Sequence, residues 1–173
     1  MTRNFDVNDV VGYLLAEGED DQGRTGAYLL VSSRGRPLEF HCTAPVRASR
    51  AQEILFGPTL RDYIDGELIA GALVAKARLT PGVVVVADKA LAEPVAARGW
   101  AAVCVTPDAP EGQASDVPAK SVQGEPLPEA VRALLETLRG SVDLAEPFER
   151  IREAIREARR LGGAEEAGHA HAA

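Results

Sequence analysis

The chain has 173 residues, 46% of them hydrophobic and 26% charged, which gives one domain with its own core and excludes disorder throughout. Two cysteines exclude a disulfide-rich scaffold, and no apolar run approaches the length needed to cross a bilayer. A formal net charge of −7 argues against non-specific binding to nucleic acid, which needs a basic face to displace counterions. β-Branched and apolar residues at 10–15 predict a first strand, and the polar stretch 17–24, with Gly18 and Gly23, a turn. Strands at 26–31 and 38–43 follow, separated by Arg34-Gly35-Arg36-Pro37, so the first three strands form an antiparallel meander. In the third, Phe40 and Cys42 share one face and Glu39 and His41 the other.

Helices come next. Ser49 is placed to cap a short helix over 50–56, which Gly57-Pro58 stops. Thr59, with Asp62 in a box-like position, is placed to cap a long helix over 60–79, ended by Thr80-Pro81-Gly82. The run 83–87 is continuously apolar, as in a strand buried on both faces. A short helix over 90–98 and a second buried strand over 101–105 follow, with Trp100 as a core or rim aromatic. Residues 106–128 carry Pro107, Pro110, Pro118 and Pro126 with Gly112 and Gly124, and read as a long mobile loop. Two C-terminal helices, 129–138 and 146–161, precede a flexible tail over 162–173. The last helix sets Phe148, Ile151, Ile155, Ala158 and Leu161 on one face. The expected fold is a single α/β domain over 1–161, with a mixed sheet in the order βββαβαβ and two helices appended.

One acid breaks the pattern. On a wheel of about 100° per residue, Tyr63, Ile64, Leu68, Gly71, Val74 and Ala75 form an apolar arc with Glu67 in its middle, while Asp62, Asp65 and Lys76 lie opposite. A carboxylate in a buried stripe is costly unless it is paired or coordinated. Glu67 therefore bonds a backbone amide or an arginine such as Arg47 or Arg50, or it holds a metal. Asp88 follows the 83–87 strand, at the kind of strand end where metal-binding acids occur.

Three antiparallel strands, a helix with an inward Glu and a buried strand ending in Asp resemble the ribonuclease H-like fold. Gly66-Glu67-Leu68-Ile69-Ala70 matches the family's helix position, and Val86-Ala87-Asp88 its fourth strand, 21 residues later. The resemblance covers 10–105 and implies two divalent ions, Mg or Mn, held for phosphodiester cleavage. It also implies an acid within the first strand, where this chain has only Glu17 near the end and Asp9 at the beginning, and a fourth from a C-terminal helix, where Asp143 or Glu146 stands.

Charge and compartment complete the reading. Between Arg24 and Arg61 six arginines stand against two glutamates, so Arg47, Arg50 and Arg61 could grip phosphates or simply rim the surface. Residues 1–6 show no signal peptide, and Cys42 and Cys104 read as free buried thiols, so the expected location is the cytoplasm, with no membrane association. His41 and Cys42 are adjacent in a strand and point to opposite faces, which rules them out as a nucleophile and base pair. Asp20-Asp21-Gln22-Gly23 lacks the rest of a calcium loop, and His169 with His171 make a poor metal site in a tail. The displaced first-strand acid and the acidic total favour a non-catalytic binding or adaptor protein that needs no cofactor and meets a protein partner. The alternative is a divalent-metal-dependent nuclease with Glu67, Asp88, Glu17 and Asp143 as ligands.

Overall fold

The computed structural model describes residues 9–19, 22–108 and 116–170, with side chains as far as residue 162. Valine- and leucine-rich runs form a five-stranded sheet of β1 (Val10–Glu19), β2 (Gly23–Ser32), β3 (Pro37–Cys42), β4 (Val83–Val86) and β5 (Ala102–Cys104). The spatial order is β3-β2-β1-β4-β5. The meander forms as expected: β2 lies antiparallel to both β1 and β3, while β1, β4 and β5 run parallel. The register of β1 on β4, Val11 to Val83 and Leu14 to Val86, leaves the second half of β1 projecting beyond its parallel neighbour.

Each face of the sheet carries its own core because successive side chains alternate. Val11, Tyr13, Leu15, Val83, Val85 and Val103 face two C-terminal helices, which meet them with Leu135, Leu138, Phe148, Ile151 and Ile155. Val10, Leu14, Tyr28, Leu30, Val84 and Val86 face the other layer, which supplies Ile64, Ile69, Leu73, Leu91 and Val95. All four valines of β4 are fully buried, as a continuously apolar strand between two helix layers requires.

The helices are α1 (Arg50–Phe56), a long helix α2, a short α3 (Glu93–Ala96), α4 (Glu129–Arg139) and α5 (Glu146–Ala170). Ser49 caps α1 in a full capping box with Gln52. Helix α2 is built from three contiguous pieces: α-helical Leu60–Asp62, π-helical Tyr63–Ala70 and α-helical Gly71–Lys76. It ends at Lys76, three residues short of the expected end at 79, because Ala77 is already extended. Thr59 does not cap it; the Thr59 hydroxyl donates back to the Phe56 carbonyl at 2.7 Å, and a 3-10 turn over Gly57–Thr59 leads straight into the helix.

Two further segments differ from expectation. The helix expected over 90–98 divides into a 3-10 turn, Lys89–Leu91, capped by Asp88, and α3 with Pro94 in its first turn. In the segment read as a long mobile loop, residues 119–127 form a tight turn with a bridge between Lys120 and Pro126, and Val122 donates its N–H to the Ala102 carbonyl at 2.8 Å. Val117 and Val122 pack against the two cores, which accounts for the order in a proline-rich stretch; residues 109–115 lie outside the described residues. Among the described residues no helix is long and apolar enough to cross a membrane.

Candidate functional site

The π-helical stretch decides which side chains of α2 face inward. Hydrogen bonds from i to i+5, such as Gly71 N–H to Gly66 C=O, put more residues in each turn, so every side chain falls behind the position that a period of 3.6 assigns it. Ile64, Asp65, Ile69, Ala70, Leu73 and Val74 turn inward; Glu67 is exposed, and Leu68 with it. The acid in the buried stripe is therefore Asp65 and not Glu67. Gly66 lets α2 sit close on the Lys89–Leu91 turn, since a Cβ there would come within 2.7 Å of the Ala90 carbonyl.

Asp65 has a cation waiting for it. Arg24, at the start of β2 on the same face of the sheet, is 4% exposed, and the Asp65 side chain 7%. Arg24 Nε donates to Asp65 Oδ1 at 2.6 Å and Nη2 donates to Oδ2 at 2.8 Å, a bidentate pair. Nη1 donates to the Gly18 carbonyl at 2.8 Å and Nη2 also reaches that of Ala16 at 3.3 Å. The Arg24 backbone bonds Val46 in both directions, at 2.9 and 2.8 Å. The Arg24 guanidinium thus ties the projecting end of β1 to α2, with its donors spread over four acceptors, while the Arg24 backbone holds the segment after β3.

The four acids expected to hold metal are dispersed. Glu67 faces solvent on α2. Asp88 is exposed, and its Oδ1 accepts from Ala90 N–H at 2.9 Å as a cap. Glu17 shares a strand face with Leu15, so it lies on the opposite side of the sheet from α2, where its carboxylate stands 3.7 Å from Arg152 of α5. Asp143 accepts from Ala145 N–H at 2.9 Å, just before α5. On the α2 face of β1 the corresponding positions hold Leu14 and Ala16, which have no carboxylate to offer. Among the described residues no group of three or more His, Cys, Asp or Glu side chains converges.

The arginines behave otherwise. Arg47 donates Nε–H to the Gln22 carbonyl at 3.3 Å, Arg50 pairs with Glu53 at 3.0 Å, and Arg61 lies 3.9 Å from the already neutralised Asp65. Helix α1 presents a surface that the sequence pattern did not single out. Helix α1 buries none of its residues, and Ile54 and Leu55 are 65% and 82% exposed. Phe56 stacks on Tyr63 with centroids 4.2 Å apart, which fastens α1 to the start of α2. Arg50 and Ile54, four residues apart, share one side of α1. The signal was available in the sequence: an apolar triplet, Ile54-Leu55-Phe56, in a helix too short to bury it.

His41 and Cys42 do point apart. His41 Nε2 lies 2.6 Å from Glu39 Oε1 on the α2 face, while Cys42 packs toward α5. Burial would push the Glu39 carboxyl up, but the His41 bond and N–H groups from Arg78 and Leu79 outweigh it and hold Glu39 below the ordinary range. Both thiols are half-buried and unpaired, and burial pushes both up. Trp100 lies at the rim of the α2-side core, with the Arg98 guanidinium 5.4 Å above its ring. Asp20, Asp21, His169 and His171 fall outside the residues whose side chains are described. Neither a family model nor a curated protein matches the chain.

Proposed function

We propose that this chain is a non-catalytic binding protein of the cytoplasm, an adaptor on a ribonuclease H-like scaffold, which takes an acidic amphipathic segment of a protein partner on α1 and the start of α2. The observation that carries the reading is α1 itself, with no residue in the core and Ile54 and Leu55 presented to solvent between Arg50 and Arg61. Exposed apolar residues rimmed by charge are the usual make-up of an interaction site, and arginine is well suited to pair with carboxylates across it. The βββαβαβ order and the mixed sheet support the scaffold assignment. Two unpaired thiols fit a reducing compartment. A metal-dependent nuclease would need carboxylates that converge, and Glu17, Glu67, Asp88 and Asp143 face different ways or serve as caps.

A photo-crosslinking residue at Leu55, introduced in the cells that make the protein, tests the proposal. The expected result is one predominant adduct, absent when the crosslinker sits at exposed Glu129. The purified adduct protein then binds wild type, and Ile54→Ser with Leu55→Ser weakens binding at least about tenfold at unchanged melting temperature. Equal adducts at both positions, or undiminished binding by the double variant, would overturn it.

A further inference from the structure

Ile155 is the last residue of α5 in the core, and every described residue from 156 to 162 is exposed, so the helix runs out beyond the sheet. Between this overhang and the chain leaving β3 lies a cavity of about 510 Å³, within the size range of small-molecule sites. Ile155, Ala158 and the carbons of Cys42 and Thr43 make its walls. Ile155, Ala158 and Arg159 share one helix face by their i,i+3 and i,i+4 spacing. Among the described residues Arg159 is the only charged one lining it, and its Nη2 donates to the hydroxyl of buried Thr25 at 3.1 Å.

Arg159 differs from Arg24, Arg150, Arg152 and Arg160, each of which pairs with a carboxylate. Among the described residues none lies within ion-pair distance of Arg159. The Thr25 bond fixes the guanidinium at the cavity and leaves further N–H donors for an oxyanion. A neighbouring groove shares Arg159 and Pro45 but adds Glu17 and Glu19, which disfavour a doubly charged headgroup.

We propose that this cavity binds a single-chain amphiphile carrying a monocarboxylate, with the carboxylate on Arg159 and the apolar chain along Ile155 and Ala158 beside Cys42. This site is independent of the α1 surface. Its charge selects an anion, its walls select a hydrocarbon, and Cys42 supplies a reporter inside it.

The test uses the full chain with decanoate at sub-micellar concentration, compared with decanol and decyl phosphate. Titration calorimetry gives affinity, and peptide mapping after iodoacetamide gives the alkylation rates of Cys42 and Cys104 separately. The expected result is saturable decanoate binding that slows alkylation of Cys42 but not of Cys104. Arg159→Gln weakens it at least about tenfold, as loss of a charge-assisted contact should, and Ala158→Leu blocks it by filling the cavity. Decanol binding as tightly as decanoate, decyl phosphate binding more tightly, unchanged affinity in Arg159→Gln, or no protection of Cys42 would each overturn the proposal. Both positions are exposed and lie beyond the last core residue of α5, so circular dichroism spectra matching wild type are expected for each.

Discussion

Arg24 and Asp65 meet edge to edge, Nε 2.6 Å from Oδ1 and Nη2 2.8 Å from Oδ2, across 41 residues of chain. The pair is buried where the end of β1, the start of β2 and α2 come together, and it satisfies two backbone carbonyls besides. A buried ion pair of this kind contributes little net stability relative to an apolar pair of the same size, yet losing one partner strands the other charge.

Asp65→Ala should therefore cost about 3–5 kcal/mol, because the Arg24 guanidinium remains buried without its counter-ion. Replacing both, Arg24→Met with Asp65→Leu, should recover most of that loss. Urea unfolding of the two single variants and the double variant checks this. A double variant no more stable than Asp65→Ala would show that the bonds to Ala16 and Gly18, and not the ion pair, hold this corner together.

Gly66→Ala sets helix propensity against packing. Alanine is favoured over glycine in a helix by about 1 kcal/mol. At this position the new Cβ would stand 2.7 Å from the Ala90 carbonyl, a backbone atom that cannot swing away. The expected outcome is net destabilisation of about 1–3 kcal/mol, as for overpacking elsewhere. A thermal melt showing a rise instead would mean that the Lys89–Leu91 turn yields easily.

Much of this architecture is legible in the residues. The valine run of β4, the alternation in β3, and Ser49 at the cap of α1 each carry their structure in local chemistry. The face of α2 does not. A period of 3.6 puts Glu67 inward and Asp65 outward, and the π-helical hydrogen bonding over Tyr63–Ala70 reverses them. No short pattern signals that change, because it is sustained by long-range features: Arg24 across the fold and Gly66 against Ala90. The side of the sheet that Glu17 takes is simpler to read. Its strand parity places it with Leu15, away from α2, and that much could be read from the alternation of β1 alone.

Glu67 and Asp88 should separate cleanly on substitution. Glu67→Gln changes an exposed side chain and should stay within about 0.5 kcal/mol of wild type. Asp88→Ala removes the acceptor of the Ala90 N–H and should cost about 1 kcal/mol. Melts with Mn²⁺ complete the test: these placements predict the same melting temperature with and without the ion for wild type and both variants. A wild-type increase abolished by either substitution would bring the metal reading back.

Glu39 should give the chain part of its acid sensitivity. Burial works against its carboxylate, but His41 and the N–H groups of Arg78 and Leu79 prevail, so its folded pKa lies below that of an ordinary glutamate. A group depressed in this way stabilises the fold above its unfolded pKa, and that contribution is lost as pH falls through the folded pKa. Glu39→Gln should lower stability at pH 7, where it replaces a charged acceptor bound to two backbone amides, and the deficit should shrink progressively below about pH 4.5. Urea unfolding at pH 7, 5, 4 and 3 measures the difference between the two proteins. A deficit that stays constant across that range would mean that Glu39 serves only as a neutral acceptor for the segment after α2, with no contribution from its charge.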